Sequence, residues 1–134
     1  MDPQSKWRID PIWAEITDKD LDGADWDGTS GSVPDVLVLM ACPPSSQPHA
    51  VEIPYVESYT PTWTTPGCIA TMQALLTEPF KVRVEDYDPV GSNDLVAEFP
   101  LQLSQNELSD QKEFTIIPYQ ALKSMTFRVT FIGN

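Results

Sequence analysis

The chain has 134 residues, of which 41% are hydrophobic, and 20 acidic against 8 basic side chains give it a formal net charge of −12. This length predicts one domain with a single core, and the hydrophobic content excludes a disordered tail. The acidic surplus argues against nucleic-acid binding, which needs clustered Lys and Arg, and against constitutive attraction to anionic lipid.

Two further features of the composition limit the class of protein. The 13 prolines disfavour long helices and favour short strands separated by loops. No run of about 18 apolar residues occurs, so no transmembrane segment is predicted. The surplus of carboxylates is compatible with cation binding and also with an ordinary solvated surface.

The chain begins with a polar segment. Residues 1–8 are polar apart from Trp7 and predict a loose lead-in, which leaves residues 9–134 as the domain. Residues 9–17 predict a first strand with Trp13 as its core anchor, and a short amphipathic helix is the alternative.

An acidic loop follows over residues 18–32. Asp18–Gly23 matches the first half of an EF-hand calcium loop, D-x-D-x-D-G. The twelfth position, however, is Thr29 where that motif needs a bidentate Glu, and the Gly-Ser-Val-Pro that follows cannot begin a good helix. Asp22 and Asp25 are candidates for additional metal ligands, and a solvated acidic loop is the alternative.

The middle of the chain predicts more strands. Residues 36–41 form an unbroken apolar run, which is typical of a central strand covered on both faces. Residues 51–55 contain Pro54 and predict an edge strand. Residues 68–77 have apolar side chains at helical spacing, so both a helix and a strand are open there.

Residues 80–103 form the clearest pattern in the sequence. Apolar and polar side chains alternate up to a turn, and Asp86 and Asp88 share the parity of the buried face, so both are expected to lean to the same side. The chain returns through Asp94 into a second alternating run. Carboxylates placed this close repel, and a hard cation such as calcium, with about six to eight oxygen ligands, is one reason for the arrangement. A solvated acidic turn is the alternative. The apolar face of the second run is Leu95, Ala97, Phe99, Leu101 and Leu103.

The last third predicts short elements. Residues 104–107 carry a capping-box pattern that indicates one helical turn, and residues 119–124 predict another. Residues 113–117 and 125–131 predict strands. The whole pattern indicates an all-β fold, an antiparallel β-sandwich of about eight strands with one or two short helical turns.

Two cysteines, Cys42 and Cys68, leave two interpretations. If they pair, the bridge closes a loop of about 27 residues and adds roughly 3 kcal/mol in the chain-entropy model. A bridge would favour an extracytoplasmic or secreted protein over a cytoplasmic one. The alternative is two buried free thiols. Two cysteines are too few for a zinc site, and the lone His49 predicts a surface loop residue.

Three stretches resemble, in the expected order, parts of a C2 domain. Asp-Tyr-Asp at residues 86–88, with the Gly/Ser turn and Asn-Asp-Leu-Val-Ala-Glu-Phe after it, resembles the third calcium loop and its following strand. Residues 27–38 resemble the first calcium loop, and residues 59–63 resemble the turn with an aromatic residue after proline. The match spans residues 12–131. It departs from the family in a longer first loop, in Asp35-Val36-Leu37 where Asp-Pro-Tyr is usual, and in lacking the lysine-rich strand.

The resemblance implies an antiparallel β-sandwich that binds Ca²⁺ between loops at one end and then docks to a membrane surface or a protein partner. The implied metal ligands are Asp27, Asp35, Asp86, Asp88 and Asp94. The candidate docking tips are Trp26, Val33 and Val90. Exposed apolar loop residues are also common without any function.

Two other classes of function remain open. One is a β-sandwich that binds no metal and serves as a structural or interaction domain within a larger secreted or surface protein. The other is an enzyme with paired carboxylates, as in glycosidases. No Gly-x-Ser-x-Gly, phosphate loop or metal-binding histidine pattern supports catalysis, so the expectation is that the chain is not an enzyme.

Overall fold

A computed structural model describes residues 2–26, 33–47 and 49–134. Within these ranges eight strands form two four-stranded sheets, with the strand orders β4-β1-β8-β7 and β3-β2-β5-β6. All strand pairs are antiparallel. The predicted antiparallel β-sandwich of about eight strands is confirmed. The elements are β1 Lys6–Ile16, β2 Asp35–Cys42, β3 His49–Glu57, β4 Cys68–Thr71, α1 Met72–Thr77, β5 Phe80–Asp86, β6 Asp94–Leu101, β7 Lys112–Ile116 and β8 Leu122–Gly133.

The first strand begins earlier than the sequence predicts. β1 starts at Lys6, and Trp7 is buried against Phe131, with 5.1 Å between the ring centroids. The Trp7 indole N–H donates to Ser5 Oγ at 3.0 Å, which lets the ring be buried without an unsatisfied donor. The predicted loose lead-in over residues 1–8 is therefore too long. Trp13, the predicted core anchor, is only half-buried.

The second sheet places β2 in its interior and β3 at its edge, next to β2. The edge position of β3, predicted from Pro54, is confirmed. Val36, Val38 and Met40 are buried on the inner face of β2, whereas Ala41 is exposed on the outer face. The prediction that both faces of this strand are covered is therefore wrong for its second half.

The segment 68–77 is both a strand and a helix. β4 ends at Thr71, whose side chain accepts the Ala74 N–H at 3.2 Å and caps the helix α1. The helical turns predicted at residues 104–107 and 119–124 are wrong, because residues 105–107 and 120–121 form turns without a helix and residues 122–124 belong to β8. Gln120 has a φ of 53°, which interrupts any helix, and β8 begins at Leu122. Over the described ranges, no helix has the length and apolar character to cross a membrane.

A disulfide joins the two sheets. It links Cys42, at the end of β2, to Cys68, at the start of β4, with a Cα–Cα distance of 5.6 Å. Both residues are buried. Of the two interpretations of the cysteines, the disulfide is therefore the one that the structure shows.

Gly67, which directly precedes β4, packs closely against the backbone of Ile9 in β1. A Cβ atom at Gly67 would lie 1.9 Å from the carbonyl oxygen of Ile9, so only glycine fits this position. The Gly67 N–H donates to the buried Asp10 carboxylate at 2.7 Å, and Arg8 donates to the same group at 2.9 Å.

Three connections meet at one end of the sandwich, because antiparallel strands alternate in direction. They are the β1–β2 connection in its described parts (17–26 and 33–34), the β5–β6 loop (87–93) and the β7–β8 loop (117–121). The Thr17 N–H donates to the Ala121 carbonyl at 2.9 Å, and the Ala121 N–H donates to the Val96 carbonyl at 3.0 Å. These three connections, together with the strand ends that they join, are called the acidic end below; those strand ends include Asp35, Asp86 and Asp94.

Candidate metal site at the acidic end

Asp35 and Asp86 are neighbours at the acidic end. Asp86 ends β5 and is 1% exposed. Its Oδ1 accepts the backbone N–H of Asp35 at 2.8 Å, and the Tyr87 N–H donates to the Asp35 carbonyl at 2.7 Å. Two of the predicted ligands, separated by 51 positions in sequence, are thus brought into direct contact.

Asp94 lies opposite Asp86 because of a bulge in β6. Val84 pairs with Ala97, but Glu85 pairs with Leu95, so Val96 is an extra residue on β6. Without the bulge, Leu95 would face Asp86. The predicted alternation of β6 is therefore wrong at its start: Val96 and Ala97 are both buried, and Leu95 is half-buried.

Asp88 is held inside the β5–β6 loop. Its Oδ1 accepts the Val90 N–H at 2.9 Å, and its own N–H donates to the Asn93 side-chain oxygen at 2.8 Å. The Asn93 amide nitrogen donates to Glu85 Oε1 at 3.1 Å. Sequence reasoning missed Asn93 and Glu85. The parity of β5 predicts a solvated Glu85, but its bonds to Arg83 and Asn93 let it be buried.

The EF-hand-like segment uses its carboxylates internally. Asp20 Oδ1 accepts the N–H groups of Asp22 and Ala24, each at 2.9 Å. The Lys19 ammonium forms an ion pair with Asp25, and this hydrogen bond raises the pKa of Lys19. Asp25 is therefore already neutralised by a cation of the chain itself, which weighs against its predicted role as an additional ligand.

Asp22 is exposed and lies near one of the predicted ligands, Asp94. A shallow cleft of about 200 Å³ is lined by Asp20, Asp22 and Asp94 together with two leucines. The structure therefore brings the β1–β2 connection next to the start of β6, although these segments are far apart in sequence.

The predicted docking tips differ in how far their side chains are exposed to solvent. Trp26 is fully buried, and its indole N–H donates to the Thr17 carbonyl at 2.8 Å, so its prediction as a docking tip is wrong. Val33 is half-buried. Val90 is 94% exposed. Asp27 lies outside the described residues.

Other exposed apolar side chains at the acidic end were not predicted from the sequence. Ile117 is 81% exposed, and Leu21 and Tyr119 are also exposed. Tyr87 stacks on Tyr55, with 4.9 Å between ring centroids and 10° between ring planes. Isolated apolar residues in loops give no sequence pattern, and only the shared end of the sandwich connects these residues.

The donor set determines which metal would suit this end. It offers carboxylate and backbone oxygens, which hard cations such as calcium prefer, and among the residues described here it offers no thiolate or imidazole for zinc. The ligand type therefore fits calcium. Within the described ranges, however, no group of three or more His, Cys, Asp or Glu side chains is placed to hold a metal ion.

Comparisons with known proteins identify the fold. No family model and no curated protein sequence matches the chain. Among solved structures, a C2 domain of plant extended synaptotagmin 1 matches with a TM-score of 0.63 and 14% identity over 100% of both chains. A calcium-bound structure of two C2 domains of extended synaptotagmin 2 matches with a TM-score of 0.67 and 17% identity, over 98% of this chain and 47% of that one.

A third similar structure comes from work on CC2D1B in the mitotic reformation of the nuclear envelope. Its TM-score is 0.67 with 9% identity, and this chain spans 55% of its length. At such low identities the likeness is one of fold. The fold of this chain is a C2-like β-sandwich, as the resemblance in the sequence implied.

Proposed function

We propose that this chain is a calcium-binding, C2-like module that docks to a membrane surface or a protein partner through its acidic end, and that it does not act as an enzyme. One observation carries the proposal: the buried Asp86 carboxylate accepts the Asp35 N–H at 2.8 Å and lies opposite Asp94 across the β5–β6 pair. The proposed ligands are those that the resemblance implies, namely Asp27, Asp35, Asp86, Asp88 and Asp94.

The electrostatics around Asp86 favour a bound cation. Burial disfavours the charged form of a carboxylate, and Asp86 is 1% exposed. Like charges directly opposite on paired strands destabilise a sheet. A divalent cation offsets both effects, and calcium accepts oxygen ligands in flexible geometry, including those contributed by separate loops.

Docking would follow from the same neutralisation. The net charge of −12 repels an anionic surface, so the domain would approach such a surface only when calcium offsets the charge of the acidic end. Val90, which is 94% exposed in the β5–β6 loop, would then supply an apolar contact. The calcium-bound structure of extended synaptotagmin 2 has the same fold and supports this proposal.

We also propose an extracytoplasmic location. The Cys42–Cys68 disulfide is buried and joins the two sheets, so it belongs to the folded architecture. Such bonds persist in oxidising compartments and are rare in the cytosol.

A second candidate function is an interaction domain that binds no metal. Asp25 is paired with Lys19, and Asp20 accepts hydrogen bonds from its own loop, so part of the acidic end is satisfied without any ion. The shortage of grouped ligands within the described ranges favours the same alternative.

Calcium titration with thermal melting separates the two functions. A ligand that binds only the folded state stabilises it by about 2.7 kcal/mol at a hundredfold excess over Kd. The first function therefore predicts a higher melting temperature in millimolar calcium than in chelator, with a smaller rise in magnesium, which demands stricter octahedral geometry. Equal melting temperatures in calcium and chelator would leave the metal-free interaction domain.

A further inference from the structure

We propose that Asn93 is a positioning residue for the metal-binding loop, which it holds in one conformation before any ion arrives. This inference rests on the proposed function for its link to calcium. Its structural part, the ordering of Asp88 by Asn93, is measurable in calcium-free protein.

The Asn93 side chain closes the β5–β6 loop. Its Oδ1 accepts the Asp88 N–H at 2.8 Å, across five positions of sequence. Within residues 88–93, all of which the structure describes, no backbone-to-backbone hydrogen bond closes the loop. The shape of this loop therefore depends on side chains, and Asn93 supplies the contact that joins its two ends.

The other half of the Asn93 amide is anchored on the outer face of the second sheet. Its Nδ2 donates to Glu85 Oε1 at 3.1 Å. Arg83 donates to the other oxygen of Glu85, and its Nη1 donates to Glu98 at 2.7 Å. Glu85 and Glu98 raise the pKa of the Arg83 guanidinium, so Arg83 stays protonated and keeps holding Glu85 in place.

This double role can be filled by an amide and by few other groups. The Asn93 oxygen meets an N–H donor and its nitrogen meets a carboxylate, so the side chain must accept on one side and donate on the other. Aspartate could accept the Asp88 N–H but would set a second carboxylate against Glu85. Alanine would remove both bonds.

The result for Asp88 is a fixed orientation. Its backbone N–H is held by Asn93, and its Oδ1 accepts the Val90 N–H at 2.9 Å. A Cβ at Gly91 would lie 3.1 Å from Asp88 Oδ2, so the loop packs closely around the carboxylate. A ligand that is already oriented needs less ordering when it binds a metal, and the metal binds more tightly as a consequence.

The test uses the whole chain, with two variants of Asn93 and a control. Asn93→Ala is expected to speed hydrogen exchange of the Asp88 amide in chelator and to weaken the calcium midpoint by about 10-fold, as for other residues that orient metal ligands. Asn93→Asp keeps the acceptor but sets a carboxylate against Glu85, so its Asp88 amide is expected to exchange more slowly than in Asn93→Ala and faster than in the wild type. Asn106→Ala, an exposed asparagine between β6 and β7, is the control and should change neither quantity.

The outcomes separate this inference from the function on which it rests. An unchanged Asp88 amide and calcium midpoint in Asn93→Ala would overturn the inference. The inference would also be overturned if Asn93→Ala were partly unfolded in chelator at the assay temperature and this unfolded fraction fully explained the weaker calcium midpoint. Asn93 would then act only on stability. If the wild-type protein shows no calcium response, the proposed function fails and the calcium role of Asn93 fails with it. Faster exchange of the Asp88 amide in Asn93→Ala would then still show that Asn93 orders the loop.

Discussion

Asp86, the last residue of β5, pairs with Asp94, the first residue of β6, so the two lie directly opposite each other. Asp86 also accepts a hydrogen bond from the Asp35 backbone at 2.8 Å, so three acidic residues from three strands are brought together at one end of the sandwich. Two like charges in this relationship destabilise the empty protein. The first prediction follows from this repulsion.

Replacing Asp86 by Asn is expected to remove most of the calcium-induced rise in melting temperature. Asn is nearly the same shape and can still accept the Asp35 N–H, but it lacks the charge. In chelator the variant should therefore melt at the same temperature as the wild type or slightly higher. Thermal melting in calcium and in chelator measures both effects.

Two further variants control for the loss of one charge. Asp20→Asn keeps the oxygen that accepts the N–H groups of Asp22 and Ala24, and it should leave the calcium response almost intact. Glu52→Gln, on the exposed edge strand β3, should also leave it intact. If Asp20→Asn removes the response and Asp86→Asn does not, the ion binds within the EF-hand-like segment instead.

Around these residues the sequence predicts strand β5 but not the bulge in β6. The alternation of residues 80–86 predicts β5, because one face of that strand is buried and the other is solvated. The bulge at Val96 leaves no such pattern, since a single extra residue merely shifts the parity of β6. It is this bulge that sets Asp94 against Asp86.

The sequence also did not predict the burial of Trp26 or the hydrogen bonds of the Asn93 side chain. Trp26 stands among acidic and small residues, which suggests an exposed tip, but the Thr17 carbonyl accepts its N–H and allows it to enter the core. Asn93 looks like an ordinary turn former. Its bonds to Asp88 and Glu85 depend on where the loop folds back on the sheet, and no local spacing encodes that position.

Gly67→Ala is expected to destabilise the fold strongly. The added Cβ would lie 1.9 Å from the Ile9 carbonyl oxygen, and backbone on both sides would have to move. Overpacking typically destabilises by about 1–3 kcal/mol, and a clash with backbone places Gly67→Ala near the upper end of that range; urea unfolding measures the loss. Gly23→Ala is the comparison, since it meets no atom within 4 Å but has a φ of +83°; its cost should be about 1 kcal/mol. Equal losses for the two variants would show that the chain relieves the clash at Gly67.

Removing the disulfide is expected to lower the free energy of unfolding by about 3 kcal/mol, because a closed loop of this length restricts the unfolded chain. The double variant Cys42→Ala, Cys68→Ala removes the bond without leaving one free thiol. Urea unfolding of the variant and the wild type gives the difference. Thiol titration of denatured, unreduced wild-type protein should find no free thiol; two free thiols after oxidative refolding would contradict the bridge.

The pKa of Glu78 is expected to lie below its ordinary value, because the side-chain O–H and the backbone N–H of Ser45 both donate to its carboxylate. A lowered pKa in the folded state contributes stability above the unfolded pKa, and this contribution is lost as the pH falls through the folded pKa. Carboxyl NMR titration measures the value directly. Ser45→Ala removes the hydroxyl donor and should raise the pKa of Glu78, whereas Ser46→Ala should not change it.

The docking proposal predicts a pattern of vesicle binding with calcium as the switch. Vesicles of phosphatidylserine and phosphatidylcholine should bind the protein in calcium and release it in chelator, because the protein carries a net charge of −12 and repels the anionic surface when the ion is absent. Val90→Asp should weaken binding in calcium, since it places a charge on a side chain that is 94% exposed at the acidic end. Ile132→Asp makes the same change on an exposed residue near the far end of β8 and should have no effect.

Binding in chelator, or equal losses in the two variants, would contradict docking through the acidic end. A calcium-dependent rise in melting temperature without vesicle binding would instead indicate a protein partner.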